Sequence, residues 1–278
     1  MNFGFKLSWW FNKHLNIYGK FDLDREITQN DNTTYANETL MSDTTIGLTY
    51  HNLYRIPVAG IDIHLGGKLI MPTSKASRAD TAIVDIGLNL TLARTFKVLK
   101  GLTISYTFAP KYNFHRYTTG ESVSPRVSVS AKDPDYNALL SNGTRNVQWD
   151  LGNDISFSLA FTDWIGMGFS WGRIVAFLYK MDKSGDLTVT TMSGQEVQLS
   201  HGVEDPTNCR FIDYFNLYVT ATPIEFLDIS LVAGTVYSQI DMDGKYEAPF
   251  FNEDTTIALE LGVNFGALAT FISKHKKK

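Results

Sequence analysis

The sequence has one cysteine, Cys209, among 278 residues. A lone cysteine forms neither an internal disulfide nor a Cys-x-x-Cys site, so disulfide-stabilised and thiol-redox folds are excluded. No apolar run approaches the roughly 18 residues of a transmembrane helix, and no segment of useful length has a helical period. Lys and Arg total 25 against 29 Asp and Glu, a net charge of -4, so no basic surface for nucleic acid is expected.

Two long runs of alternating residues lie between Asp80 and Arg116. In the first run Leu88, Leu90 and Leu92 alternate with polar or small residues, and the second run, from residue 102 to 113, behaves likewise. A period of two is typical of β-strands. Each run lasts about ten residues, which suits a strand that crosses a bilayer obliquely rather than the shorter strands of soluble folds. This hairpin is therefore predicted to cross a membrane.

The same pattern extends over the rest of the chain. Paired strands are predicted at 3–11 with 15–24, 44–52 with 59–71, 147–161 with 165–179 and 210–222 with 227–240, followed by a final strand at 255–271. Short turns join the partners of each pair, at 12–14, 55–57, 97–101, 162–164 and 223–225. Long polar loops join successive pairs, at 24–42, 72–79, 117–144, 181–208 and 241–254. Short turns alternating with long loops are typical of bacterial outer-membrane barrels.

The predicted fold is all-β: one transmembrane antiparallel up-and-down barrel domain spanning residues 1–278. Eleven strands are visible, and single-chain bacterial barrels have an even number. We therefore expect twelve strands in the intact protein, or ten if residues 1–12 do not join the wall. The N-terminus has no signal-peptide pattern, so the chain is expected to be a mature or truncated form. A soluble all-β sandwich or propeller is the alternative, although its strands would be shorter.

The final predicted strand, ELGVNFGALATF, resembles the C-terminal assembly signal of bacterial outer-membrane β-barrel proteins. Glu260, Gly262, Val263 and Phe265 fit that signal, whereas Ala267 stands where a large apolar residue is usual, and a basic tail follows Phe271. This is a resemblance at superfamily level. It implies a location in the bacterial outer membrane, contact with its lipid, and handling by the barrel-assembly machinery during biogenesis.

Alternate residues of the strands should face a polar lumen with charges of both signs. The predicted lumen-lining residues are Lys20, Asp22, Asp62, His64, Lys68, Asp85, Asn89, Lys111, Asn113, His115, Asp150, Asp154, Arg210, Asp228 and Glu260. They could satisfy one another and the lumen water, or form a charged constriction that selects solutes. The favoured function is a passive channel or transporter for small solutes, with no cofactor or metal.

Two other functions remain open. An outer-membrane hydrolase acting on lipid or peptide would need a His base, which a dyad of His115 and Asp150 across adjacent strands could supply, with His201 and Glu204 in a loop on the same side. No serine-centred signature supports catalysis, so the protein is not expected to be an enzyme. A closed structural or adhesive barrel that displays its loops is the other alternative. Asp241 to Gly244 begins like a calcium loop but lacks the closing Glu, and is interpreted as a turn.

Overall fold

A computed structural model describes residues 1–25, 38–121, 141–180, 187–190, 196–199, 208–238, 245–246, 248–252 and 254–275. Its strands are β1 (Asn2–Trp10), β2 (Leu15–Arg25), β3 (Thr39–Met41), β4 (Thr44–Ile56), β5 (Ile61–Met71), β6 (Ala82–Phe96), β7 (Gly101–His115), β8 (Thr119–Glu121), β9 (Ser141–Arg145), β10 (Val147–Ala160), β11 (Ile165–Leu178), β12 (Leu187–Thr190), β13 (Glu196–Leu199), β14 (Cys209–Ile224), β15 (Leu227–Ser238) and β16 (Thr256–Val263). The helices are α1 (Lys75–Ala79) and α2 (Phe265–His275).

Eleven strands form one antiparallel up-and-down sheet in the order β1-β2-β4-β5-β6-β7-β10-β11-β14-β15-β16, and the short β3 pairs with the end of β2. Most of these eleven strands have 11 to 16 residues, whereas β1 has 9 and β16 has 8. The prediction of long antiparallel strands with alternating short and long connections is confirmed. The sheet is open, with β1 and β16 as its two edges.

The ladder register gives the sheet a polar face and an apolar face. Lys111 lies opposite Asp150 on the polar face, and Tyr106 lies opposite Ile155 on the apolar face. The apolar face is uncovered over much of its area: Leu88 and Leu231 are each 55% exposed. Among the described residues only Ala176, Leu178, Phe215 and Tyr237 are buried apolar or aromatic side chains. Most of the apolar residues therefore do not form a core inside this chain.

The predicted strand at 255–271 is wrong beyond its first half. β16 ends at Val263, and residues 265–275 form the helix α2. Asn264 explains the switch, because its Oδ1 accepts a hydrogen bond from the backbone N of Ala267 at 3.0 Å and so caps the first turn. The Ala and Leu residues that follow favour a helix. Neither described helix is long and apolar enough to cross a membrane.

Four segments expected to be loops contain regular structure, the first being 24–42, where β3 pairs with the end of β2. The connection after β5 holds α1, whose N-cap Ser74 accepts a hydrogen bond from the backbone N of Ser77. β8 pairs with β9 in the predicted loop 117–144, with β9 ending one residue beyond it, and β12 pairs with β13 inside the predicted loop 181–208. These strands have only 3 to 5 residues, too few for a periodic pattern to be recognised in the sequence.

Candidate functional site

All fifteen predicted lumen residues lie on the polar face of the sheet. The register pairs Asp85 with Asn113 and Lys111 with Asp150, and it carries the same face to Arg210 through Ala176. In the other direction it reaches Lys20 through Thr45 and Ile70. Alternation along each strand places the remaining residues on this face. That this face encloses a lumen stays a prediction.

Six of the fifteen residues line one cavity of about 310 Å³ at the long-loop end of the polar face, which we call the rim cavity. They are Asp85, Lys111, Asn113, His115, Asp150 and Arg210. Asp85 lies on β6 and Arg210 on β14, four strands further along the sheet. In a flat sheet these two strands would stand about 19 Å apart. Because both residues border one small cavity, the sheet must curl toward its polar face.

Lys111 is the central charge of the rim cavity. Its Nζ lies 2.9 Å from Oδ2 of Asp150 on one neighbouring strand and 3.7 Å from Oδ2 of Asp85 on the other. The same Asp150 oxygen accepts a hydrogen bond from Nδ2 of Asn113 at 2.9 Å. Asn113 is only 4% exposed, and its Oδ1 accepts no hydrogen bond from the described residues. One acceptor beside the cavity is thus left without a donor, which is unusual for a buried amide.

His115 and the buried Asn146 tie the wall of the cavity to the connection after α1. Nδ1 of His115 lies 2.7 Å from the carbonyl oxygen of Asp80, and Nδ2 of Asn146 donates to the same oxygen at 2.7 Å. A carbonyl oxygen only accepts, so Nδ1 of His115 carries a proton. Desolvation raises the pKa of Asp80, and the nearby His115 opposes this shift. Asp80 therefore takes up its proton at a higher pH than a free carboxyl group.

Sequence reasoning missed five polar residues that also line the rim cavity: Asp43, Ser77, Asp80, Arg145 and Asn146. They come from strand ends and connections, where no alternation shows which way a side chain points. Asp43 anchors α1, because its Oδ1 accepts a hydrogen bond from the backbone N of Ser74 at 2.9 Å and its Oδ2 accepts one from the Ser77 hydroxyl. Arg145 donates to Oδ1 of Asn208 at 3.4 Å.

The other nine predicted residues are distributed along the polar face. Lys68 lies over Gly87, directly beside Lys111, and Asn89 lies over Gly66. Several are paired locally: Lys20 with Asp22 at 3.1 Å, Asp62 with Arg55 at 3.6 Å, Asp228 with the Thr222 hydroxyl at 2.6 Å, and Asp154 with the Tyr214 hydroxyl. Glu260 lies exposed on the edge strand β16. No second cluster of predicted residues forms among these nine.

A group of histidines lies at the short-turn end, away from the rim cavity. Nε2 of His51 lies 3.0 Å from Oδ1 of Asn16, Nδ1 of His14 lies 3.0 Å from the carbonyl oxygen of His51, and His64 accepts from the backbone N of Asn52 at 3.2 Å. Only His64 belongs to the predicted set. Within the described ranges, no group of three or more His, Cys, Asp or Glu residues is placed to hold a metal ion.

The structure describes only some of the residues considered for a hydrolase or a calcium loop. No hydrogen bond joins His115 to Asp150 in the part of the chain that the structure describes, since both have other partners. His201, Glu204 and the Asp241 to Gly244 segment lie outside the described residues. On the polar face, Tyr218 and Tyr214 fill the space over Gly168 and Gly172. No protein-family model matches the sequence, and no curated protein matches it either.

Proposed function

We propose that the sheet is the wall of a β-barrel in a bacterial outer membrane and that the barrel passes small polar solutes. The uncovered apolar face of the sheet supports its placement in a membrane. Along this face Leu88 and Leu231 are each 55% exposed, and Ile257 and Leu259 are exposed by 76% and 69%. A soluble protein rarely exposes apolar patches beyond a few hundred Å². In a membrane, lipid rather than a protein core would cover Leu88, Leu231 and the apolar residues around them.

The direction of the edge strands supports closure by a further strand. Eleven consecutive antiparallel strands make β1 and β16 run in the same direction. Direct pairing of these edges would be parallel, whereas one additional strand between them would be antiparallel to both. An unpaired edge cannot stand in lipid, because each free N–H and C=O group there costs several kcal/mol. We therefore retain twelve strands as the proposed barrel.

The rim cavity is the observation that carries the proposed solute path. Its carboxylates from the chain just before β4, just before β6 and on β6 are Asp43, Asp80 and Asp85, and its guanidinium groups are Arg145, at the end of β9, and Arg210 on β14. Lys111 and Asp150 lie between these two groups. A solute that passed here would meet opposite charges on opposite sides, an arrangement that favours dipolar solutes over apolar ones.

Single-channel conductance of the refolded protein in planar bilayers tests the proposal. We expect discrete current steps, with ion selectivity shifted toward anions in Asp150→Asn and toward cations in Lys111→Met. Asp163→Asn is the matched control, since it removes the same charge from an exposed turn residue that pairs with Lys100 at 3.0 Å. It should leave selectivity unchanged, because Asp163 lies at the short-turn end, away from the rim cavity.

Each alternative result has a definite meaning. If the protein folds and inserts into the membrane but gives no current steps, the channel hypothesis is rejected in favour of a closed structural or adhesive barrel. Current steps whose selectivity is the same in Asp150→Asn and Asp163→Asn would show that solutes bypass the rim cavity. A protein that stays monomeric and folded in buffer without detergent or lipid would reject the membrane wall itself.

A further inference from the structure

α2 is fixed to the short-turn end of the sheet, directly after β16. The backbone N of Asn264 donates to the carbonyl oxygen of Phe226, in the turn between β14 and β15, at 2.9 Å. The rings of Phe226 and Phe271 are 5.3 Å apart. α2 therefore has a defined position beside the β14–β15 turn.

α2 carries an apolar stripe that points away from its packed side. Ala267, Leu268 and Phe271 are half-buried toward the sheet. Phe265, Ala269 and Ile272 are spaced at i, i+4 and i+7, which places them on one helix face, and all three are exposed, Phe265 by 77%. Exposure of this stripe to water is unfavourable, so we expect the stripe to contact an apolar surface.

The stripe follows directly, along the chain, on the apolar residues of β16. Along β16 the residues on that face are Ile257, Leu259, Leu261 and Val263, exposed by 76%, 69%, 68% and 47%. Phe265 comes two residues after Val263, as the first residue of α2. The exposed apolar residues of β16 thus lead along the chain into the exposed apolar residues of α2.

The end of α2 is basic. No acidic residue follows Glu260, and the sequence ends Ser-Lys-His-Lys-Lys-Lys from residue 273 to 278, in a chain whose net charge is -4. Lys274 and His275 are also the last two residues of α2. An anionic surface is thus the electrostatic complement of this end.

We propose that α2 lies on the membrane surface at the short-turn end, with Phe265 and Ile272 at the boundary of the acyl chains and its basic end on anionic phospholipid headgroups. An apolar stripe beside a basic segment is the pattern of interfacial helices. The inference rests on the proposed placement of the sheet in a membrane. It places residues 265–275 at the headgroup surface, where the expected final strand would instead have crossed the bilayer.

Site-directed fluorescence on the full chain tests this role. In a Cys209→Ser background, a polarity-sensitive probe is attached at Ile272→Cys, and the protein is refolded into vesicles of phosphatidylcholine alone or mixed with phosphatidylglycerol. We expect quenching by lipids that carry a quencher near the headgroup, severalfold stronger in the anionic vesicles and reduced by salt. Thr270→Cys, on the polar side of α2, is the matched control and should stay accessible to a water-soluble quencher.

A charge variant and a second probe position separate the possible failures. Replacing Lys274 and Lys276 to Lys278 with Gln should remove the added quenching in anionic vesicles while the sheet still folds. A probe at Leu88→Cys reports insertion of the sheet independently of α2. If lipid quenches the Leu88 probe but not the Ile272 probe, the sheet is in the membrane and α2 binds something else, such as an acidic protein, so the inference is wrong. If lipid quenches neither, the membrane proposal falls with it.

Discussion

Arg173 and Asp213 face each other across β11 and β14 and share two hydrogen bonds, from Nε to Oδ1 at 2.7 Å and from Nη2 to Oδ2 at 2.8 Å. Both lie on the apolar face of the sheet. The ladder places Asn153 beside Arg173 and Tyr237 beside Asp213, so a polar row crosses four strands there. With both donors and both acceptors matched, a face otherwise made of large apolar residues can hold this pair.

Breaking the pair from one side should be costly. The Asp213 side chain is only 5% exposed, and Arg173→Met would leave its carboxylate without a cation. We expect the free energy of unfolding, measured by urea titration in lipid vesicles, to fall by about 3–5 kcal/mol. The double variant Arg173→Met with Asp213→Leu should recover most of that loss, since no unpaired charge remains. A double variant as unstable as the single one would show that the loss came from packing rather than charge.

The two faces of the sheet should respond differently to the same substitution. Leu88 is exposed on the apolar face, and the neighbouring Asn89 lies on the polar face. In a lipid-refolding titration we expect Leu88→Arg to destabilise the inserted state by about 2–4 kcal/mol, because the cation would enter hydrocarbon. Asn89→Arg is the matched control and should cost far less. Equal losses would mean that neither face contacts lipid.

The strands and their turns could be predicted because the alternation is long and repeated. Leu88, Leu90 and Leu92 follow one another at a period of two, and a ten-residue run with that period fits no helix. The residue pattern of the final segment does not distinguish a strand from a helix in this way. From Leu261 to Phe271 its apolar residues fit alternation at first and then spacings of three and four, and the cap at Asn264 decides between them.

The composition of the rim cavity was only half predictable for a related reason. Lys111, Asn113 and Asp150 stand at alternate positions of long strands, so their face follows from the sequence. Asp80 and Asn146 stand at the ends of connections, and a backbone carbonyl holds them together. The Arg173–Asp213 pair was missed because alternation shows the face of a residue but not its partner on the next strand.

Tyr214 and Gly172 form a matched pair on the polar face. Gly172 lies between Asp154 and Tyr214 in the ladder, and the Tyr214 ring crosses it to reach the Asp154 carboxylate. In Gly172→Ala the new methyl group would overlap that ring and displace it. We expect a loss of about 1–3 kcal/mol in unfolding free energy from this overpacking. Combining the change with Tyr214→Ala should give less than the sum of the two single losses.

Gly19→Ala on β2 is the control for this effect. A methyl group at Gly19 would meet nothing within 4 Å, so the same substitution in a strand should be neutral or slightly stabilising. If both glycine variants lost the same stability, the cause would be a general cost of alanine in these strands rather than the Tyr214 ring.

Asn146 should control the order of the connection that closes the rim cavity. Its Nδ2 donates to the carbonyl oxygens of Asp80 at 2.7 Å and Tyr117 at 3.0 Å, and its side chain is buried. Asn146→Ala would leave the Tyr117 oxygen without this donor and would remove one of the two side-chain contacts of the Asp80 oxygen, leaving His115 as the other. We expect trypsin to cleave after Arg78 in α1 several times faster, with little change in the unfolding free energy of the sheet.

Asn252→Ala is the control for this variant. It removes a similar bond to the Ala248 oxygen at 3.2 Å in another connection and should leave cleavage after Arg78 unchanged. Equal cleavage rates in the wild type and Asn146→Ala would mean that Asp43 and its bonds to Ser74 and Ser77 hold this segment in place without Asn146.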